Sequence, residues 1–261
     1  MPLRVPHRVS RRIATRGAPG FTFSNNLTPR MFSGRRQGRI DDIDTTAGLP
    51  AFGLTNTANP AASTSNATEF TFSGASLGAA GASRIIIVTV NFVTNAVNRT
   101  IGSVTVGGNT CTSITTVYAN PGDGFGSGIF AVQLEAGTTG DVVVTLSDAL
   151  GANRALGVSV FRMVGRAAVT ANATNTDTAT STGALTLSLN TIAGGGAVSC
   201  GQFFNSVTTT WVGLTEARDT DDVTVIITSA FAETASASTP LVVTATPSGS
   251  SVQATGVSAS W

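Results

Sequence analysis

This sequence predicts an all-β fold: a two-layer antiparallel β-sandwich, jelly-roll or immunoglobulin-like, with a long extended N-terminal arm. Three observations carry that expectation. From about residue 67 the chain is a succession of short Val, Ile, Thr and Phe runs separated by glycine, asparagine, serine and proline, which is the rhythm of strands and turns. No segment sustains a helical period, because the alanine-rich pieces are interrupted by glycine, threonine and asparagine. The first forty residues hold nine arginines and no acid, whereas the remainder holds six arginines against fourteen acids. A cationic arm is therefore fused to an acidic body.

The arm, residues 1–40, mixes Pro2, Pro6, Pro19 and Pro29 with glycines and shows no period. Like-charge repulsion and sparse apolar content cannot offset the roughly 1–2 kcal/mol per residue needed to fix a backbone. Alone it is not expected to fold. As a partner-binding segment it offers Arg4, Arg8, Arg11, Arg12, Arg16, Arg30, Arg35, Arg36 and Arg39 to acidic groups, and Phe21, Phe23 and Phe32 as apolar anchors. Residues 41–66 read as a polar linker opening on Asp41, Asp42 and Asp44.

The body, residues 67–261, reads as one sandwich. Its clearest strand is 84–92, where Ile86, Val88, Val90 and Phe92 share one face and Thr89 and Asn91 the other. Val142, Val144 and Leu146 repeat the alternation, as do Leu185, Leu187 and Leu189, and Val223, Val225 and Ile227. Further strands are predicted at 69–73, 101–106, 110–118, 128–135, 155–164, 197–204, 240–246 and 251–261, with a tight hairpin at Gly107-Gly108-Asn109. About a dozen strands in that length favour one two-layer sandwich over two small domains.

Composition excludes much chemistry. His7 is the sole histidine and there is no lysine, so a histidine-based triad, a two-histidine zinc site, a Schiff base and a lysine-ended phosphate loop are all unavailable within one chain. No pair of carboxylates is nominated by spacing. The expectation is a non-enzymatic protein without a cofactor. Cys111 and Cys200 are isolated from each other and from histidine, and read as small buried apolar residues, with a disulfide between them open to geometry. No stretch reaches the length of a membrane span, and no apolar run of signal-peptide length follows the arginines.

The order SRIIIVTVNF, SVTVGGNTCTSI, GIFAVQLEAGTTGDVVVTLS, ALGVSVFRMVG and ATGVSASW resembles a β-sandwich module recurrent in tailed-bacteriophage virion proteins and bacterial surface proteins, over residues 83–261. The resemblance implies a structural role and carries no catalytic set. With the basic arm beside it, the expectation is a bacteriophage virion structural protein, either a capsid decoration (cement) protein or the base of a head or tail appendage. It would be assembled in the host cytoplasm and anchored through the arm to the major capsid protein or neighbouring subunits. A symmetric homo-oligomer such as a trimer is the expected form. Two alternatives stand beside it. One is a jelly-roll capsid protein whose arm neutralises nucleic acid. The other is a glycan-binding or adhesion module, for which Trp211 in TTTWVGLTEARDTDD is the candidate contact, against a reading of the same ring as a loop-covering plug. Asp219, Asp221 and Asp222 in that segment, and Asp123 in PGDGFGSG, are calcium candidates if they occupy loops, although no ligand-count motif accompanies them and no metal is expected.

Overall fold

The computed structural model describes residues 50–261, apart from 96–97, 120–122, 181–182, 205–207, 223–224, 235–237 and 250–252. The expected arm and its nine arginines lie outside the described residues, as does the expected linker up to residue 49. Residues from Leu49 to Trp261 form one unit, and all regular structure described in it is strand.

The first nine strands are β1 (Gly53–Ala58), β2 (Glu69–Ser76), β3 (Ile85–Thr94), β4 (Ile101–Val106), β5 (Asn109–Thr110), β6 (Thr112–Ala119), β7 (Gly124–Gln133), β8 (Thr139–Leu146) and β9 (Leu156–Val164). They form an inner sheet β1-β9-β3-β7-β6 and an outer sheet β2-β8-β4-β5. Their shared core takes Ile86, Val88, Val90 and Phe92 of β3, Phe70 and Phe72 of β2, and Val142, Val144 and Leu146 of β8. The period-two pattern read from the sequence thus points these side chains inward as expected. Gly107 and Gly108, at φ 55° and 78°, turn β4 into β5 with Val106 opposite Asn109. Positive φ at both central residues matches the right-handed twist of a hairpin and favours glycine.

The second half repeats the first. Its strands are β10 (Ala173–Thr180), β11 (Leu185–Thr191), β12 (Gly195–Phe204), β13 (Thr209–Val212), β14 (Thr215–Asp222), β15 (Val225–Thr234), β16 (Ser238–Pro247) and β17 (Gln253–Ser260). The inner sheet runs β10-β17-β12-β15-β14 and the outer sheet β11-β16-β13. Replacing β10 to β13 by β1 to β4, and β14 to β17 by β6 to β9, reproduces the strand order of the first half. Only the two-residue β5 has no counterpart. Apart from the neighbouring pairs β4–β5, β6–β7 and β14–β15, successive strands swap between facing sheets in the order of a jelly roll, so the described strands form two rolls in tandem. Leu185, Leu187, Leu189, Phe203, Trp211, Ile226 and Val243 fill the second core.

The two inner sheets pack face to face, giving four layers. Ile85, Ile87, Ile129, Phe161 and Met163 of the first meet Val198, Cys200, Val257, Ala259 and Trp261 of the second. A buried polar seam runs through this apolar contact: Ser127 Oγ lies 2.9 Å from Thr255 Oγ1, and Ser159 Oγ lies 2.9 Å from Ser229 Oγ. Ser127 and Thr255 sit on β7 and β17, while Ser159 and Ser229 sit on β9 and β15. These are the same pair of strands with the two halves exchanged, although the register places the bonded residues at different positions along them. Asn91 on β3, reaching the Thr228 carbonyl on β15, is likewise mirrored by Cys200 on β12, whose thiol donates to the Gly128 carbonyl on β7. At the level of strands, though not of residues, the contact is arranged like an isologous dimer interface, built within one chain.

The antiparallel sandwich class is as the sequence predicts, but the strands build two sandwiches where composition suggested one. Four strands were not legible. β1 lies in the segment assigned to the linker; only Leu54 of GLTNTA is deeply buried, so no alternation marks it. β10, ATNTDTAT, buries no large apolar side chain. β13 and β14 occupy the segment read as a Trp- and Asp-bearing loop. Among these, β1, β10, β13 and β14 all lie at sheet edges, where one-sided pairing relaxes the demand for apolar alternation.

One buried charge fixes the end of the first roll. Arg84, without solvent exposure, donates from Nε to the Leu134 carbonyl (2.6 Å), from Nη1 to Gly78 (3.1 Å) and Gly137 (2.7 Å), and from Nη2 to Ala136 (2.6 Å). The guanidinium thereby gathers the loops that follow β2 and β7.

Candidate functional site

The acidic residues gather on one edge. Residues 165–261 contain two arginines against six acids, four of the six within TEARDTDD of β14. β14 pairs with β15 on one side and is the outermost strand of its sheet. Glu216 and Asp221 are exposed and Asp219 is half-buried. Arg218 turns away from them: its Nη1 donates to the carbonyls of Pro60 and Val158, both at 2.8 Å. Asp219 Oδ2 accepts the backbone N–H of Thr209 at 2.8 Å, which ties β14 to β13 across the open side of the second roll. The first roll uses the same device, since the Tyr118 hydroxyl on β6 accepts the Ile101 N–H of β4 at 3.1 Å.

Burial raises the pKa of Asp219, opposed by the Thr209 N–H bond and reinforced by Asp221; burial and then the charge of Asp219 raise that of Glu216. A carboxyl group that holds its proton more tightly in the folded state loses folding stability as pH rises from the unfolded pKa through the folded one. Asp219→Asn keeps an acceptor for Thr209 and removes the desolvated charge. Its melting temperature is expected to exceed that of the parent at neutral pH and to match it below about pH 4, the ordinary carboxylate range. Thermal melts across pH check this; an equal or lower melting temperature at neutral pH would show that the charge stabilises the fold.

The calcium reading needs correction. Asp219, Asp221 and Asp222 belong to a strand and not to a loop, and no cluster of three or more metal-ligating side chains occurs among the described residues. Asp123 is held by Arg154, whose Nη2 sits 2.9 Å from both carboxylate oxygens. The glycan reading of Trp211 needs correction too. The ring is 8 % exposed, packs in the second core and donates from Nε1 to Thr228 Oγ1 at 2.6 Å. It plugs the sandwich edge and offers no platform to a sugar. Cys111 and Cys200 are free, buried, and lie in separate cores. Burial pushes the Cys111 thiol up to about 12 and the Cys200 thiol higher still, so neither is a nucleophile near neutral pH.

A second feature is a clamped corner. Arg166 follows β9, stacks its guanidinium carbon 5.1 Å from the Phe52 ring centre, and donates from Nη2 to the carbonyls of Gly194 and Trp261 at 3.0 and 3.3 Å. Beside it a cleft of about 260 Å³ is lined by Ala167, Ala171, Ile192 and Trp261. Trp261 Nε1 is already bonded to the Val169 carbonyl at 2.9 Å. Arg166 Nη2 and Trp261 Nε1 are used within the chain, while Arg166 Nε has no hydrogen-bond partner among the described residues, so the corner holds the crossover between the rolls in place.

Comparisons with protein-family models, curated proteins and solved structures gave no match. No helix among the described residues is long and apolar enough to cross a membrane.

Proposed function

We propose that this chain is a non-enzymatic structural protein of a bacteriophage particle, a capsid decoration protein or the base of a head or tail appendage. The observation that carries the reading is the charge partition: nine arginines and no acid in residues 1–40, against an eight-charge excess of acids in residues 41–261. Such a block attracts an oppositely charged surface without building a pocket for chemistry. The four-layer body supports the same reading. Hydroxyl pairs such as Ser127–Thr255 and Ser159–Ser229 hold its inner sheets together, its thiols are buried, and its two rolls make a thick mass suited to packing against copies of itself.

Deleting residues 1–40 is expected to leave the β-sheet circular dichroism and melting temperature of the body unchanged and to abolish co-purification with particles. Normal incorporation of the truncated chain would overturn the reading. The jelly-roll strand order favours a second possibility, a shell protein whose arm neutralises packaged nucleic acid, because jelly rolls are frequent in viral shells. That version requires duplex DNA binding that weakens with salt at a log–log slope of about −0.9 per phosphate contacted. The decoration reading requires no such binding by the assembled protein.

A further inference from the structure

We infer that the β14 edge is the docking site for the arginine-rich N-terminal segment of a second copy of this chain. The inference rests on the proposed assembly role and names the partner of one surface within it. No described strand pairs with the outer side of β14, and Glu216, Asp219 and Asp221 stand along it. Edge strands are ordinarily guarded by charge against pairing with other edges. Here the guard is of one sign, which repels another acidic edge and draws a basic strand.

Thr209, 4 % exposed, engages Asp219 at this edge through its backbone N–H and its hydroxyl. Asp219 Oδ1 is buried with no hydrogen-bond partner among the described residues, and it carries carboxylate charge. The ion pairs found among the described residues, Arg99–Asp148 and Arg154–Asp123, lie in the first roll. An arginine satisfies the site closely, since its planar fork presents several donors and keeps its charge when desolvated. The body cannot readily supply one. Of the six arginines beyond residue 40, Arg84, Arg99, Arg154, Arg162, Arg166 and Arg218 are each engaged elsewhere. The remaining nine are all in residues 1–40, spaced among residues without an acid. An extended chain of that kind adds backbone hydrogen bonds to an edge while its side chains read the carboxylates.

Sedimentation of the full-length chain at low salt tests the inference with three proteins: the parent, Glu216→Gln/Asp219→Asn/Asp221→Asn, and Arg8→Gln/Arg11→Gln/Arg12→Gln/Arg16→Gln. The parent is expected to self-associate, and each variant alone to associate at least about tenfold more weakly while melting as a folded protein. Mixing the two variants is expected to restore association, because one contributes intact arms and the other an intact β14. A purely structural role for the acids would give no such rescue. Parent-like association of the β14 variant, absence of rescue, or a parent that stays monomeric at low salt would overturn the inference. Particle incorporation is scored separately. A monomeric parent that still enters particles through its arm overturns the β14 site and leaves the proposed function standing, whereas arm-independent entry overturns the proposed function itself.

Discussion

Arg84→Met is expected to cost about 3–5 kcal/mol of folding stability, read as a lowered denaturation midpoint at unchanged slope. Methionine fills much of the same volume, so the loss is polar in origin. The substitution removes the donor to the carbonyls of Gly78, Leu134, Ala136 and Gly137; Ala136 and Gly137 are exposed, so the loss is largest at half-buried Gly78 and Leu134, where a buried acceptor without a donor costs about 1–3 kcal/mol. The burial of Arg84 and the positive charge of Arg162 push its pKa down, yet a guanidinium remains charged at any ordinary pH. Arg84→Lys restores the charge without the fork and is expected to recover only part of the loss. A change below about 1 kcal/mol in the methionine variant, within the usual range of surface substitutions, would show that the loops reorganise freely without their cation.

Trp211→Ala is the second large effect, expected at about 3–5 kcal/mol, the usual cost of emptying a buried aromatic site. The ring fills the second core at its open edge, and its N–H begins a relay: Trp211 Nε1 donates to Thr228 Oγ1, which donates to the Arg218 carbonyl at 2.9 Å. Outer and inner sheets of the second roll are joined through that relay. Trp211→Phe retains most of the volume and loses the hydrogen bond, so a smaller drop of about 1 kcal/mol is expected. Thermal melts rank the three proteins. Binding to a glycan panel, corrected for the folded fraction, is expected not to change; a selective loss of sugar binding would revive the adhesion reading.

The central strands were legible because burial on both faces demands apolar residues. In β3, Ile86, Val88, Val90 and Phe92 alternate with Ile85, Ile87 and Thr89, and both sets are covered. That double coverage also carried the missed information. Ile85 and Ile87 belong to the contact between the rolls, and a strand apolar on both faces signals a further layer beyond a two-sheet sandwich. The duplication itself was hidden, since equivalent strands share position and direction but little sequence: β4 is IGSVTV and β13 is TTWV. β14 could not be read as a strand, because charge on an edge looks like charge in a loop until its partner strand is known. The site residues divide along the same line. Trp211 is hydrophobic and its plug role was foreseeable, whereas the pairing of Asp219 with Thr209 depends on how two strands from different sheets meet.

The clamp around Arg166 has a mechanical consequence. Phe52, the crossover after β9 and the carbonyl of Trp261 converge on that one guanidinium, and Gly165, at φ 80°, leaves no room for a side chain against the backbone of Phe52. Tension transmitted along the polypeptide into residue 52 therefore reaches a contact shared by both rolls at the same point where it enters the first strand. Load at this corner is divided between the two lobes.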